Sequence, residues 1–367
     1  MKNLFVIGLM SGTSMDGIDV SLLQTNGIKS KIILPGVTCP YSQKTEKLII
    51  NLNNYPIEEL IKNQLLYKEL SISITIDHAE AVSKILSKFS GKINLIGFHG
   101  QTIYHNAQKK ISLQIGEPQL LSNLTEIRVV SNFRENDIQN GGEGAPLAPI
   151  YHKHLVERHN LDFPICFLNI GGVSNISYCD KNNFLGFDTG PGNGLIDILI
   201  KKSINKPFDF QGLLAKSGTP NKNLIKLVLK DSFFEKLPPK SLDKLYFEKI
   251  FSNEEFNSLT LPDAAATLSQ LTIESVLVSL KLLPKKPKLM VMCGGGRKNW
   301  FFVDRLKKFC PFKIITTEEI DIDGDFLESE LISFISARSF NKLPITFPNT
   351  TGVNRPLIGG KVYKPLI

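Results

Sequence analysis

LFVIGLMSGTSMDGIDVSLLQ, residues 4–24, sets two apolar runs either side of a tight turn of small and polar residues. The first run, 4–10, is unbroken and short, which reads as a strand buried on both faces. The second, 18–24, reads as its partner. Gly12 and Gly17 permit turn geometry closed to residues with side chains. The same grammar returns at ICFLNIGGVSNISYC, residues 165–179. There a strand at 165–170 meets a small, polar turn at 171–175 and a second strand at 176–179. Third strands are expected at 32–37 and at 184–187. A strand–turn–strand–strand unit followed by helices therefore occurs twice, although the residues themselves match poorly. Such a duplication predicts two α/β domains of one design, facing each other across a cleft with ligands at the strand ends. The first domain is expected to take 1–131 and 344–367, and the second 132–343.

Outward from these units the pattern alternates. Helices are expected at 43–52 and 57–88, the latter with a break near its β-branched stretch 70–76. A short strand at 95–98 runs into His99, Gly100 and Gln101. Later come a long, nearly all-apolar helix at 263–283, a strand at 288–293, an amphipathic helix at 299–309, a strand at 313–316 and a helix at 325–341. At 367 residues and 42% hydrophobic content, each half has enough apolar material for its own core.

The net charge of +8 suits anionic ligands, and a well-solvated lysine surface accounts for it equally. The lysines are dispersed, with no run of five, so nucleic-acid binding has little support. The five cysteines (Cys39, Cys166, Cys179, Cys293, Cys310) include no CxxC pair and are odd in number, which fits free thiols in a reducing compartment. No stretch approaches the roughly 18–20 apolar residues of a membrane span. A cytoplasmic protein with no membrane partner is the expectation.

Six segments carry possible chemistry. The turn within MSGTSMDGID, 10–19, offers hydroxyls and backbone N–H groups that can wrap an anion, though alone it suits an ordinary hairpin. It is not a Walker A loop, since no GxxxxGK[ST] is present. GFDTGPGNGLID, 186–197, places Asp188 at a strand end before a rigid glycine turn, a position for a general base or a loop-capping carboxylate. MCGGGRKN, 292–299, brings a strand into three glycines, which lets backbone approach a ligand. GDFLE, 324–328, opens a helix. Its acids favour the helix dipole, and Glu328 lies one turn in. In NFRENDIQNGGEGAP, 132–146, the fork of Arg134 suits a carboxylate or phosphate. In GFHGQTIYH, 97–105, His99 and Gln101 can hydrogen-bond a polar ligand or serve as satisfied core groups. No histidine has metal-ligand spacing to a cysteine or acid, and no GxSxG elbow occurs.

Together these stretches resemble the anhydro-N-acetylmuramic acid kinases. The matching segments are MSGTSMDGID, GFHGQTIYH, LQIGEPQ (113–119), NFRENDIQNGGEGAPL, LNIGGVSNIS (168–177), GFDTGPGN, DAAATLSQLT (263–272), CGGGRKN and DGDFLES (323–329), in the family's order and nearly end to end. The resemblance implies a two-domain fold of the actin and hexokinase type, a duplicated ribonuclease H-like design. It implies that the 1,6-anhydro ring of anhydro-N-acetylmuramic acid is opened by water and phosphorylated on O6. The products would be N-acetylmuramic acid 6-phosphate and ADP, within peptidoglycan recycling and amino sugar catabolism. ATP and Mg²⁺ would be required, and a homodimer is typical.

Residue by residue, the resemblance makes Asp188 the catalytic base. The nucleotide would be held by Gly12, Thr13, Ser14, Met15, Asp16, Gly17, Ile18 and Asp19, by Gly171, Gly172, Gly190, Gly192 and Asn193, and by Gly294, Gly295 and Gly296. Arg134, Glu328, His99 and Gln101 would contact the sugar. Many kinases of the wider superfamily carry an aspartate in strand one, where this chain has Gly8. That leaves the Mg²⁺ ligands open, with Asp16 and Asp188 as candidates. The segment PKSLDKLYF, 239–247, departs from the glycine-arginine-glutamate associated with the family there. A kinase for an ordinary hexose and a non-catalytic sugar sensor are the competing readings. The first needs no attacking water. The second needs an output module, and no added segment is evident.

Overall fold

In the computed structural model the opening run forms β1 (Leu4–Ser11), which returns antiparallel as β2 (Ile18–Thr25) and then β3 (Ser30–Cys39). The structure describes residues 1–12, 17–52, 59, 63–106, 110–243 and 246–366. β4 (Leu95–Asn106) lies parallel to β1, with Gly97 beside Gly8. β5 (Ile111–Ile115) folds back on the far half of β4, and β6 (Val129–Ser131) runs parallel to its near half. A C-terminal strand, Lys361–Tyr363, pairs antiparallel with β6 and ends the sheet. His99 and Gln101 thus sit inside a long β4 rather than after a short strand.

The second sheet repeats the plan. β7 (Ile165–Ile170), β8 (Val173–Cys179) and β9 (Phe184–Pro191) form an antiparallel meander. β10 (Leu289–Cys293) lies parallel to β7, and β11 (Lys313–Thr316) parallel to β10. Counted from its own first strand, each sheet has the order 3-2-1-4-5, with the hairpin addition and the C-terminal strand extra to the first. This shared order is the duplicated α/β fold expected from the repeated grammar.

The chain divides into one unit of residues 1–147, 326–348 and 353–367 and another of 148–325 and 349–352. Segments 132–147 and 326–343, assigned to the second domain on sequence, therefore belong with the first. The cause is packing: the helix Leu327–Phe340 lies against β1, β2 and β4. Small residues make that seam. The Ser21 and Ser329 hydroxyls are 2.6 Å apart, and Ser333 Oγ donates to the Val6 carbonyl at 3.2 Å. A Cβ on Gly97 would lie 2.2 Å from Ser336 Oγ and 2.8 Å from the Ile332 carbonyl oxygen.

The helix Gln64–Leu86 runs unbroken through 70–76, so the break expected there is absent. Leu70 and Ile74 are buried in the core of the first unit, and Thr75 Oγ1 donates back to the Ser71 carbonyl at 2.7 Å. Core burial outweighs the modest helix preference of β-branched residues. In the second unit the helix Leu261–Leu280 is capped by the Thr260 side chain and is buried around most of its circumference. No helix among the described residues is long and apolar enough to cross a membrane.

Candidate functional site

β7 and β10 are parallel neighbours that end together, with Cys293 opposite Asn169. Carboxyl ends of parallel strands are where α/β sheets bind ligands. Past those ends the glycine turns are stitched to one another. The Asn193 N–H donates to the Gly171 carbonyl at 2.7 Å, and its Nδ2 to the Ile170 carbonyl at 3.1 Å. The N–H groups of Gly192 and Gly194 both donate to the Gly172 carbonyl at 3.1 Å. Gly294 has φ +69°, and a Cβ there would lie 2.2 Å from Asn169 Oδ1. A Cβ on Gly296 would meet Ile170 Cβ at 2.4 Å, and one on Gly192 the Gly171 oxygen at 2.2 Å. By contrast, nothing lies nearer than 3.6 Å to a Cβ on Gly171, or 3.8 Å to one on Gly295.

The glycines therefore divide by role. Gly192 and Gly296 are buried spacers, and a Cβ on Gly190 would lie 2.8 Å from the Ser275 side chain of the 261–280 helix. Gly171, Gly172, Asn193, Gly294 and Gly295 keep solvent access around the start of the helix Gly194–Ile204. Backbone exposed in this way, next to a helix N-terminus, can accept phosphate groups.

Asp188 lies inside β9 rather than at its end and is 8% exposed. The segment 240–242 clamps it. The Asp188 N–H donates to the Lys240 carbonyl at 2.9 Å, and its Oδ2 accepts the Leu242 N–H at 2.7 Å. A carboxylate fixed by its own backbone and by a neighbour's N–H is held in one orientation, as a general base requires.

In the first unit, His99 on β4 and Arg134 just beyond β6 come together. Arg134 Nε donates to His99 Nε2 at 3.1 Å, and Arg134 Nη1 to the Gly144 carbonyl at 2.7 Å. His99 Nδ1 faces the Gly100 carbonyl at 3.1 Å, so the ring is the neutral Nδ1–H tautomer. Burial, then the Arg134 charge, pushes His99 down to about 3. Its part is to orient the guanidinium. Gly144, at φ +72°, also donates its N–H to Asp137 Oδ1 at 2.7 Å, which fixes the loop that carries Arg134.

Glu328, in the first turn of the 327–340 helix, has its carboxyl raised by desolvation and then by Asp19, with Arg134 opposing. Glu328 is itself exposed although its helix neighbours Leu331 and Ile332 are buried, so a ligand can reach it. Asp19 on β2 accepts from Thr38 Oγ1 at 2.6 Å. Arginine and acids at one end of the sheet can hydrogen-bond a polyhydroxylated ligand that carries a carboxylate.

Gln101 does something different from sugar contact. It is fully buried, donating from Nε2 to the Gly12 carbonyl at 2.8 Å and accepting from the Tyr41 hydroxyl at 2.8 Å. Ser11 is tied likewise, its hydroxyl 2.9 Å from His78 Nε2, while His78 Nδ1 faces the Ile74 carbonyl at 2.7 Å. These bonds anchor the entrance to the first turn, and Gly17 and Ile18 are buried at its exit. Thr13, Ser14, Met15 and Asp16, assigned to the nucleotide on sequence, lie outside the described residues. Among the described residues, no group of three His, Cys, Asp or Glu is placed to hold a metal ion.

The buried histidines make stability depend on pH. Burial lowers His78 to about 4 and His99 to about 3, so the folded state binds fewer protons than the unfolded chain. Their contribution is present above the unfolded value near 6.5 and is lost as pH falls toward the folded values. Below pH 6.5 each histidine should cost about 1.4 kcal/mol per pH unit. Urea unfolding should thus show a lower midpoint at pH 5 than at pH 7, and a smaller drop in His78→Gln. Equal midpoints at the two pH values would contradict this.

Sequence reading missed Lys240, Tyr41 and His78. Only Lys240 had a signal, since it falls in the divergent segment 239–247.

Two α/β units of one topology, one with an open glycine-walled strand end and a buried carboxylate, the other with an arginine–acid cluster, define a duplicated-domain kinase. The family is narrower. A family model described as "Anhydro-N-acetylmuramic acid kinase" matches residues 4–365, and the chain belongs to that family. Relatives bearing the same description include one from Rhodopseudomonas palustris (strain HaA2), 37% identical over 98% of this chain and 99% of its own. Another, from Pelagibacter ubique, is 38% identical over 98% of each chain. Solved structures with a similar course include component A of (R)-2-hydroxyglutaryl-CoA dehydratase from Acidaminococcus fermentans, with TM-score 0.47, 12% identity, 91% of this chain and 99% of that one. A xylulose kinase from Lactobacillus acidophilus has TM-score 0.43 and 13% identity, over 99% of this chain and 94% of that one.

Proposed function

We propose that this chain uses ATP and water to convert 1,6-anhydro-N-acetylmuramic acid into N-acetylmuramic acid 6-phosphate and ADP. Family membership supports the substrate, and the clamped, buried carboxylate of Asp188 supports the chemistry. Asp188 takes a proton from water as the water oxygen bonds to the anomeric carbon. The C1–O6 bond breaks, and its electron pair stays on O6. O6 then bonds to the γ-phosphorus, whose bond to the β–γ bridging oxygen breaks to release ADP. Ordinary glycosidases need a second carboxyl to protonate the leaving oxygen. Here phosphorus captures that oxygen, so one carboxylate suffices.

Gly171, Gly172, Asn193, Gly294 and Gly295 would offer backbone to the nucleotide, together with the turn after Gly12. Mg²⁺ would neutralise phosphate charge when bound. Arg134, oriented by His99, would pair with the lactyl carboxylate, and Glu328 would hydrogen-bond the sugar. We place the reaction in peptidoglycan recycling and amino sugar catabolism in the cytoplasm, carried out by a homodimer.

The test is turnover of the anhydro sugar with ATP and Mg²⁺ in H₂¹⁸O. The expected product carries a 6-phosphate and one ¹⁸O at the anomeric position, read before mutarotation exchanges it. ATP binding without phosphorylated product would reject the reading. Phosphorylation without label would point instead to a conventional hexose kinase.

A further inference from the structure

Arg297 follows the three glycines 294–296, a place from which a basic side chain could reach a phosphate. It is enclosed instead, with its side chain 2% exposed. Nε donates to Glu318 Oε1 at 2.6 Å, and Nη2 pairs with Asp325 Oδ1 at 3.0 Å. Nη1 turns back to donate to the Gly294 carbonyl at 3.0 Å, the same oxygen that receives the Arg297 backbone N–H at 3.2 Å. Gly324 makes space for the guanidinium, since a Cβ there would lie 2.4 Å from Nε and 2.7 Å from Cζ. The other oxygen of Asp325 accepts from Lys298 Nζ at 2.6 Å. All of these residues belong to the second unit. Asp325, whose place before a helix suited the helix dipole, is thus an ion-pair partner.

We infer that Arg297 is a positioning residue for the nucleotide: it fixes the Gly294–Gly296 turn against Glu318 and Asp325 and does not itself touch phosphate. The inference rests on the nucleotide role proposed above for Gly294 and Gly295. A guanidinium closed to solvent, with Nε, Nη1 and Nη2 each engaged, presents no face to an anion. Its planar fork is what lets one side chain hold three acceptors at once. The turn needs such a brace. Gly294 has φ +69°, and nothing lies nearer than 3.8 Å to a Cβ on Gly295, so packing does little to hold that stretch. Glycine also loses more conformational freedom on ordering than any other residue. Arg297 imposes the order before the nucleotide arrives, so binding does not bear that cost. Glu318 and Asp325, with side chains 52% and 46% exposed, anchor the guanidinium from the solvent side.

The experiment measures ATP affinity by calorimetry in the wild type, Arg297→Met, Arg297→Lys, Glu318→Ala and the double variant Arg297→Met with Glu318→Ala. ATP is expected to bind about tenfold more weakly to Arg297→Met, with KM for the anhydro sugar little changed. Arg297→Lys should recover only part of the loss, because one ammonium cannot hold three separated acceptors. Glu318→Ala should weaken ATP about threefold, and adding it to Arg297→Met should cost nothing further if the two form one brace. ATP affinity unchanged or raised in Glu318→Ala overturns the inference, since a phosphate-binding Arg297 would be freed by that change. Unchanged ATP affinity in Arg297→Met overturns it as well. So do equal losses of ATP and sugar affinity in Arg297→Met, which would mean general damage to the fold. If circular dichroism shows Arg297→Met unfolded, Glu318→Ala, altered at a half-exposed side chain, carries the same expectation. A wild type that binds no ATP rejects the nucleotide reading of the turn separately. Hydrogen exchange then reads the brace without nucleotide: amides of residues 295–298 should exchange faster in Arg297→Met while β10 keeps its protection, and unchanged exchange there rejects the brace.

Discussion

Asp188→Asn is expected to lower turnover about 10³-fold, within the range for loss of a general base, while nucleotide affinity changes little. Asparagine matches the carboxyl in shape, and its amide oxygen can still accept the Leu242 N–H now bonded at 2.7 Å. The Asp188 N–H bond to Lys240 is backbone and survives the change. What asparagine cannot do is take a proton from water. Nucleotide affinity should persist because the open glycine turns are held by backbone bonds among Gly171, Gly172 and residues 192–194, none of which uses the Asp188 side chain. Calorimetric titration with ATP and single-turnover assays separate the two quantities. Turnover within about fivefold of wild type would remove Asp188 from the base role. Loss of ATP binding instead would mean that the carboxylate supports the turn.

The fold was legible because its strands are buried. Residues 165–170 were read as a strand with the bounds that β7 has, and 43–52 as the helix Gln43–Leu52. Unbroken apolar runs between glycine turns leave few alternatives. β5 and β6 were missed for opposite reasons. β6 has only three residues, too few to show a period, and β5 is a half-exposed hairpin arm with polar residues. Domain bounds slipped because the 327–340 helix lies late in sequence but packs on the first strands, a long-range choice that no local pattern encodes.

Sequence pattern does not show what a site residue touches: Gln101 braces the first turn and His99 is bonded to Arg134. A glycine in a sequence does not announce whether it opens a surface, as Gly295 does, or admits a neighbour, as Gly190 does. The clamp on Asp188 by the Lys240 carbonyl and the Leu242 N–H was invisible because it depends on how two segments meet.

Gly8 supplies the second large effect: Gly8→Asp should destabilise the protein by more than about 3 kcal/mol. A Cβ at Gly8 would stand 1.9 Å from the Ser329 carbonyl oxygen and 2.5 Å from Ser333 Oγ. The nearest obstacle is helix backbone, so no rotamer change relieves it, and the helix Leu327–Phe340 would have to lift from β1. A carboxylate would also be desolvated in that seam. For a unit of this size the loss corresponds to a fall in Tm of about 6–12 °C. Gly8→Ala carries the steric part alone and should lose about 1–3 kcal/mol. Adding Ser333→Gly removes only the hydroxyl contact, so Gly8→Ala with Ser333→Gly should remain destabilised. Full rescue by that pair would show that the serine hydroxyl, rather than the Ser329 backbone, sets the spacing. Because Glu328 sits at the start of this helix, whatever Gly8→Ala protein folds should also bind the sugar more weakly than it binds ATP, relative to wild type. The strand-one glycine therefore fixes where the helix lies, and through it where Glu328 stands. A chain built this way has no room for a side chain at that position.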